Sequence, residues 1–560
     1  MKFLCVVCAL CGLASSSLGL DRGAFTFTRY DLNVRVEPEQ QRLAVRGKII
    51  LRNDSNSPQK NFVLQISSTL NWQSIQADGK PVQFETHQYI SDIDHTGALT
   101  EAVVSLPQAV MPQATIELQV GYEGVIPFDT TRLTRIGVPN DKARHLDWDQ
   151  ISRSFTAVRG IGYVVWYPIA TEAANLSEDN TVEEVTARWK SRESDAQMSV
   201  VFESTSDKPV FFSGSASAAP SRKSLSIGRI DAFSLTRPGI DVPTLVIADY
   251  SQVTAPNQIT IQYLSNQNEA AKDYAEIAGQ IETVIPKEGA LQVLSLPDPE
   301  ASSFVSRGML LMPLKSEMTN EAELAMVYAK ARQSLLSSRP WIEDGFAHYA
   351  QAAFVEKVKG RQAAVSYLSA HASALIEAEK AKSADSRALI DGSDDVVLQT
   401  KSMYVWWMLK DMIGTLFSDA LAQYDTSKDG DPKYMQALID KATGKNLQWF
   451  FDDWVYHDHG LPDFRVDQVF SSALDRGGFL VTVTIENLGN AGAEVPVILK
   501  AGDDEIRQRL EVRARAKASV RIEAPSAPTE VTVNDGSVPE SDISNNQFKI
   551  PSPSPSPAVR

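Results

Sequence analysis

Trp341-Ile342-Glu343-Asp344-Gly345-Phe346-Ala347-His348-Tyr349 follows directly on Pro340. The run opens a helix predicted over 341–359, in which Phe346, Ala350 and Phe354 recur at helical spacing. A second helix is predicted just upstream, over 320–338, where Asn320 followed by Glu323 makes a capping-box start. Pro340 breaks the chain between the two. Ala325 and Ala329 continue the apolar spacing, so the two helices are expected to pack together. Asp344 and His348 are four apart and share one side of their helix. They read either as the start of a divalent-ion site or as a local pair near the helix N-terminal dipole.

Outward from this pair the helical character persists. Segments 266–285, 362–382, 397–424 and 447–456 read as helices, several of them dense in Ala, Leu, Glu and Lys. Short apolar runs at 291–296 and 309–313 add two strands, and together these define an α-rich domain over 256–466. Before it the pattern has period two: Tyr30, Leu32, Val34 and Val36 alternate with Asp31, Asn33 and Arg35. Ile116, Leu118 and Val120 repeat this around Glu117 and Gln119, and turn clusters at 53–58, 78–81 and 107–112 punctuate the runs. Residues 20–255 are therefore expected to form an N-terminal antiparallel β domain, with 204–222 as an internal loop rich in Ser, Ala and Pro. From Phe479 the alternation returns, and 467–549 is expected to be a C-terminal β-sandwich. Residues 550–560 alternate Pro and Ser as an exposed tail. The expected fold class is multidomain α and β.

The chain of 560 residues is 43% hydrophobic and 22% charged, which excludes wholesale disorder and collagen-like fibres. It has 70 Asp plus Glu against 54 Lys plus Arg, a net charge of −16. A surface that acidic repels phosphate backbones and anionic lipid, so no nucleic-acid partner is expected. Residues 1–19 read as a secretory signal peptide, with Lys2 ahead of an apolar run at 3–14 and small residues at 15–19. The apolar run is too short to span a bilayer of about 30 Å, and no later run is long enough. The protein is thus expected to be exported, periplasmic or secreted, with no membrane span once the signal is removed. Cys5, Cys8 and Cys11, the only cysteines, leave with that signal, and Leu10 is a poor neighbour for lipid attachment at Cys11. The remaining chain has no disulfide chemistry.

Seven histidines are present, and none forms a His-Glu-x-x-His motif in any register. The other polar clusters all have plain competing readings. His457-Asp458-His459 reads as a chelating loop or a solvated one. Asp425-x-Ser427-x-Asp429-Gly430 starts like a calcium loop, but its twelfth position is Gln436 rather than a bidentate Glu. Asp535-Gly536 through Glu540 to Asn546 resembles the terminal loop of bacterial adhesion-type sandwich modules and reads mostly as a turn signature. Trp406 and Trp407, with Met403 and Met408, read as core before ligand platform. No nucleophile elbow and no phosphate-cradling glycine loop occurs.

The stretch from Trp341 to Tyr349 resembles the segment carrying the third zinc ligand in gluzincin metallopeptidases of the membrane alanyl aminopeptidase family. In that family a zinc-binding Glu precedes the Gly, where this chain has Asp344. Residues 163–168 and 243–250 resemble the end of the family's saddle-like N-terminal β domain. Residues 401–409, Lys-Ser-Met-Tyr-Val-Trp-Trp-Met-Leu, resemble the helix that follows its transition-state tyrosine. Residues 449–454 and Gly460-Leu461-Pro462 resemble the end of its catalytic domain. The resemblance covers about residues 25–465, and it implies a thermolysin-like catalytic domain and a zinc aminopeptidase.

The departures from the family's pattern point the other way. The best counterpart of His-Glu-x-x-His is Met326-Val327-Tyr328-Ala329-Lys330, which carries neither ligands nor base. The tyrosine position falls at Leu398 or Gln399, and the amine-binding segment is reduced to Gly308-Met309. The implied protein is an inactive pseudoenzyme, with no cofactor expected, that binds a peptide or an envelope protein. The alternative is an active zinc metallopeptidase with unorthodox ligands: Asp344, His348 and one of His371, His457 or His459. On the inactive reading Met326, Val327, Lys330 and Asp344 are vestigial positions. Lys330 is expected to pair with Asp344 in place of the metal.

Overall fold

The computed structural model describes residues 20–178, 181–217, 228–281, 289–381, 388–391 and 397–551. The expected signal, part of the 204–222 loop and most of the tail lie outside these residues. Backbone contacts divide the chain into two compact units. The first is built mainly from residues up to 247, the second from 248 onward.

In the first unit, eight strands form one sheet. Its spatial order is Ser215–Ser217, Arg229–Thr236, Gln197–Ser204, Phe25–Glu37, Arg42–Asn53, Thr115–Val125, Leu70–Ala77 and Lys80–Pro81. The period-two reading places side chains correctly here, because Tyr30, Leu32, Val34 and Val36 are all buried while Asn33 and Arg35 are exposed. The sheet is not wholly antiparallel, since Phe25–Glu37 runs parallel to Gln197–Ser204. A smaller antiparallel sheet pairs Gln59–Ser67, Ala98–Val110 and Gln83–Ile90. This unit also holds helices α1 (Thr131–Arg135), α2 (Asn140–Leu146) and α3 (Thr181–Arg192), which the sequence reading did not separate from the strands. In α3, Val182, Val185 and Trp189 point inward at helical spacing.

The second unit begins with a five-stranded sheet ordered Ser251–Ala255, Ile259–Tyr263, Leu291–Ser295, Met309–Met312 and Phe304–Ser306. Around it and after it come α4 (Asn268–Ile281), α5 (Asn320–Ser334), α6 (Pro340–Lys359), α7 (Arg361–Ala381), α8 (Ser402–Ile413), α9 (Leu416–Ala422), α10 (Tyr434–Thr443) and α11 (Gln448–Phe451). As expected, α5 and α6 pack together. The cap of α5 is one residue earlier than expected: Thr319 Oγ1 accepts from the Ala322 amide at 3.2 Å. Segment 397–424 is not one helix. It opens with a π-helical turn at Val397–Lys401, runs as α8, and breaks at Gly414, whose φ of +64° suits glycine. A second π-helical turn, Asp452–Tyr456, follows α11.

Gly345 has a steric reason. Where α6 crosses the start of α8, a Cβ at Gly345 would stand 2.3 Å from Ser402 Cβ. Phe464–Ala473, Phe479–Asn487 and Lys517–Ala524 then form one antiparallel sheet, and Asp504–Val512, Ala493–Ala501, Pro528–Val533 and Gln547–Lys549 form another. These sheets share one apolar core with the helices, continuous from Ala255 to Val538. No described helix is long and apolar enough to cross a membrane.

Candidate functional site

The residues around Asp344 are set by the faces of α5 and α6. Successive residues of an α-helix turn by about 100°, so positions four apart share a face and positions two apart lie on nearly opposite sides. Tyr328 and Arg332 are four apart, and both face α6. The Tyr328 hydroxyl donates to Asp344 Oδ1, and Arg332 Nη2 meets Glu343 Oε1 at 2.9 Å. Glu343 Oε2 also accepts from the Ser337 amide at 2.9 Å, closing the turn between the helices.

Lys330 belongs to the other face. Its ammonium donates to the carbonyls of Asn257, at 2.6 Å, and Gly289. The expected Lys330–Asp344 ion pair is therefore not formed. Lys330 turns toward the five-stranded sheet with Met326 and Val327, both fully buried, and Tyr328 takes the place beside the carboxylate. The sequence held the signal for this, because Tyr328 precedes Arg332 by one helical turn. The register counted back from Asp344 falls on Lys330, which lies on the other face of α5.

Asp344 and His348 do come together, as their spacing implies: His348 Nε2 lies 3.7 Å from Asp344 Oδ2, with both side chains about a fifth exposed. The His348 ring packs on Tyr328 with centroids 4.8 Å apart. Its Nδ1 is 3.1 Å from Gln351 Oε1, which also accepts from the Tyr367 hydroxyl at 3.3 Å, while Gln351 Nε2 donates to the Leu324 carbonyl at 3.0 Å. His371 continues the row, with Nδ1 2.8 Å from the Tyr367 carbonyl. Burial, opposed by the Asp344 charge, holds the His348 pKa below the ordinary imidazole value. Burial first, and then the neighbouring Asp344 charge, push the Tyr328 phenol well above its usual range, so it stays a donor.

This donor set does not fit zinc. A tetrahedral site needs several unprotonated ligands converging on one point. Here a protonated phenol occupies one carboxylate oxygen, and the neighbouring helix positions are Met326 and Val327. Among the described residues, no three of His, Cys, Asp and Glu converge in metal-binding geometry. Gln399 is exposed, and the side chain of Leu398 lies outside the described residues. Gly308, with φ +67°, turns the chain between Phe304–Ser306 and Met309–Met312.

No protein-family model matches the chain, and no curated protein sequence does. Among solved structures, it is similar to an M1 zinc metallopeptidase from Deinococcus radiodurans, at 15% identity and a TM-score of 0.49, over 77% of this chain and 94% of that one. A point mutant of that enzyme bound to a Tyr-Ser-Ala substrate gives 15% identity and a TM-score of 0.49, over 78% and 95%. The mutant alone gives 16% identity and a TM-score of 0.47, over 78% and 96%.

The remaining candidates separate from this cluster. Asp425 caps the turn Thr426–Lys428, accepting from the Ser427 amide at 3.1 Å. Asp429 turns inward, where it accepts from Ser337 Oγ, the Ser338 amide and Ser338 Oγ at 2.7–2.8 Å and from the Tyr424 hydroxyl at 2.5 Å. The two carboxylates thus serve a turn and a loop anchor rather than a common ion. Glu540 is a buried staple: it accepts from Asn534 Nδ2 at 2.5 Å, from Asn546 Nδ2 and from the Phe464 amide at 3.1 Å. Burial, opposed by these three donors, pushes its pKa up to about 7. Trp406 and Trp407 are core, each fully buried. His457 and His459 line a separate cavity.

The Tyr328–Asp344 bond is open to direct test. Tyr328→Phe is expected to lower stability by about 1–3 kcal/mol, because it leaves a largely buried carboxylate without its donor. In an Asp344→Asn background the same change should cost clearly less, read from urea midpoints. Equal losses in both backgrounds would show the bond to be incidental.

Proposed function

We propose that the chain is an exported, aminopeptidase-like protein that has lost zinc and catalysis and persists as a peptide- or protein-binding module. On this reading a saddle-like β domain, a thermolysin-like domain and a C-terminal sandwich remain as a scaffold. The observation that carries it is the hydrogen bond from Tyr328 to Asp344. The carboxylate standing where the family places its zinc ligand is committed to a phenol donor. The absence of His-Glu-x-x-His from the sequence supports the same reading, since activated water and general base both depend on that motif. The apolar run at 3–14 supports export.

The test is elemental analysis of the purified full chain alongside hydrolysis of alanyl p-nitroanilide. Negligible zinc and no chelator-sensitive release of p-nitroaniline are expected. Stoichiometric zinc with hydrolysis abolished by a chelator would establish the active-peptidase alternative and overturn the proposal.

A further inference from the structure

Glu193 follows the last residue of α3, where the chain turns into Gln197–Ser204, the strand that runs parallel to Phe25–Glu37. Its amide donates to the Trp189 carbonyl at 3.0 Å, and its carbonyl accepts from the Ala196 amide at 3.0 Å. The turn is tightly packed, because a Cβ on Gly239 would stand 3.1 Å from the Glu193 carbonyl carbon. The Glu193 side chain is fully buried, and among the described residues its Oε2 has no hydrogen-bond partner. Oε1 lies 3.4 Å from Arg192 Nε, while Arg192 Nη2 donates to the Ala170 carbonyl at 2.6 Å.

These surroundings favour a neutral acid over a carboxylate. Trp189, one helical turn back, and Tyr30, on Phe25–Glu37, are both buried. Among the described residues, neither the indole Nε1 nor the Tyr30 phenol oxygen has a hydrogen-bond partner. Tyr167 joins the two rings, edge-on to Tyr30 at 5.8 Å and tilted to Trp189 at 6.2 Å. An unpaired carboxylate taken out of water is costly, and a carboxyl group so placed keeps its proton instead. Burial, opposed by the Arg192 charge and by the Phe27 amide, pushes the Glu193 pKa up to about 8.

The ionisable groups that face Glu193 come from every element packed around it. Arg192 ends α3, Tyr30 lies on Phe25–Glu37, Tyr167 lies on the segment after Phe155–Val158, and Asp195 follows in the turn. Arg52 and Asp54 stand at the end of Arg42–Asn53, bonded to each other at 2.5 Å. Burial holds both phenols above their usual range, so they stay protonated. The Arg52 guanidinium holds Asp54 below the ordinary carboxylate value. Arg192 and Trp189 also line a cavity of about 180 Å3 with Gly23 and Val185, so solvent space adjoins the guanidinium that touches Glu193.

We propose that Glu193 is a proton-operated latch: as the neutral acid it holds the end of α3 in place beside Phe25–Glu37, and release of its proton to solvent loosens α3 and the turn 193–196. The closed form keeps the proton, whereas the opened form, with the carboxyl back in water, gives it up at the ordinary glutamate value of about 4.3. The contribution to closure is therefore complete below about pH 4.3 and is lost as the pH rises through about 8. Between these limits the opening constant rises by about tenfold per pH unit, one proton being released on opening. Acid tightens this corner of the sheet, and a neutral medium loosens it.

Hydrogen exchange of the full chain, read by mass spectrometry between about pH 5.5 and about pH 7.5 and corrected for the intrinsic exchange rate, tests this. In peptides spanning Thr181–Arg192 the opening constant of the wild type is expected to rise by about tenfold per pH unit. The rise should vanish in Glu193→Gln and in Glu193→Leu, which have no proton to release. Peptides of α6, in the other unit, should exchange alike in wild type and variants. A wild-type rise over α3 below about threefold per pH unit overturns the proposal, whether or not the variants fold. A rise that persists in either folded variant, or that α6 shares equally, overturns it too.

Discussion

Replacing Lys401 by methionine is expected to destabilise the protein by about 3–5 kcal/mol, because it removes a buried cation from between two carboxylates that both bond it. The lysine side chain is fully enclosed between Glu379 and Asp458, and its ammonium lies 5.7 Å from the centre of the Trp454 ring. Methionine fills much of the same volume, so the loss is one of charge rather than of packing. Lys401→Met combined with Asp458→Asn should recover part of the deficit, since one of the two negative charges that Lys401 met is then gone. Urea denaturation of the single and double variants measures both quantities. A single-variant loss below about 1 kcal/mol, the range of exposed pairs, would show that the group is solvated after all.

The second large effect is expected at Trp406. Its indole stacks on Trp341, with centroids 5.5 Å apart and planes at 21°, and meets Phe346 and Phe417 edge-on at 5.6 and 6.0 Å. Its Nε1 donates to the Trp341 carbonyl at 2.9 Å, within the first turn of α6. Trp406→Ala opens a large cavity between α6 and α8, and a loss of about 3–5 kcal/mol is expected. Trp406→Phe keeps one ring in place and should cost less. The measurement is again the urea midpoint, with the far-ultraviolet helical signal confirming that the variants fold. Comparable losses for alanine and phenylalanine would mean that the hydrogen bond, not the volume, dominates.

Both residues sit in the stretch 401–409 that the sequence singled out by resemblance, yet the sequence revealed different things about each. Trp406 was legible as core because its apolar neighbours fall at helical spacing and an indole is costly to expose. Lys401 was not legible as a buried ion-pair member, since its partners are 22 and 57 positions away in sequence. Period-two alternation placed the inward side chains of Phe25–Glu37, because one face of a sheet is decided locally. It did not reveal the parallel pairing with Gln197–Ser204, which depends on what lies between. At the candidate site, Asp344 and His348 followed from spacing on one helix, while the choice between Tyr328 and Lys330 required the rotational register of α5 against α6. A single chain of residues does not carry that angle.

The shared core of the second unit bears on how this chain could have been assembled. Recombination joins modules readily when each brings its own sealed interior and the join crosses little apolar surface. Here the apolar cluster runs unbroken from Ala255 through the helices to Val538, and Trp454 of the helical part donates its indole proton to the Gly492 carbonyl of the last sheets at 2.7 Å. The C-terminal sheets are therefore poor currency for domain shuffling. A lineage that exchanged them would have to remake the helical face beneath them in the same step, so the two parts are bound to change together, residue by residue, rather than be traded.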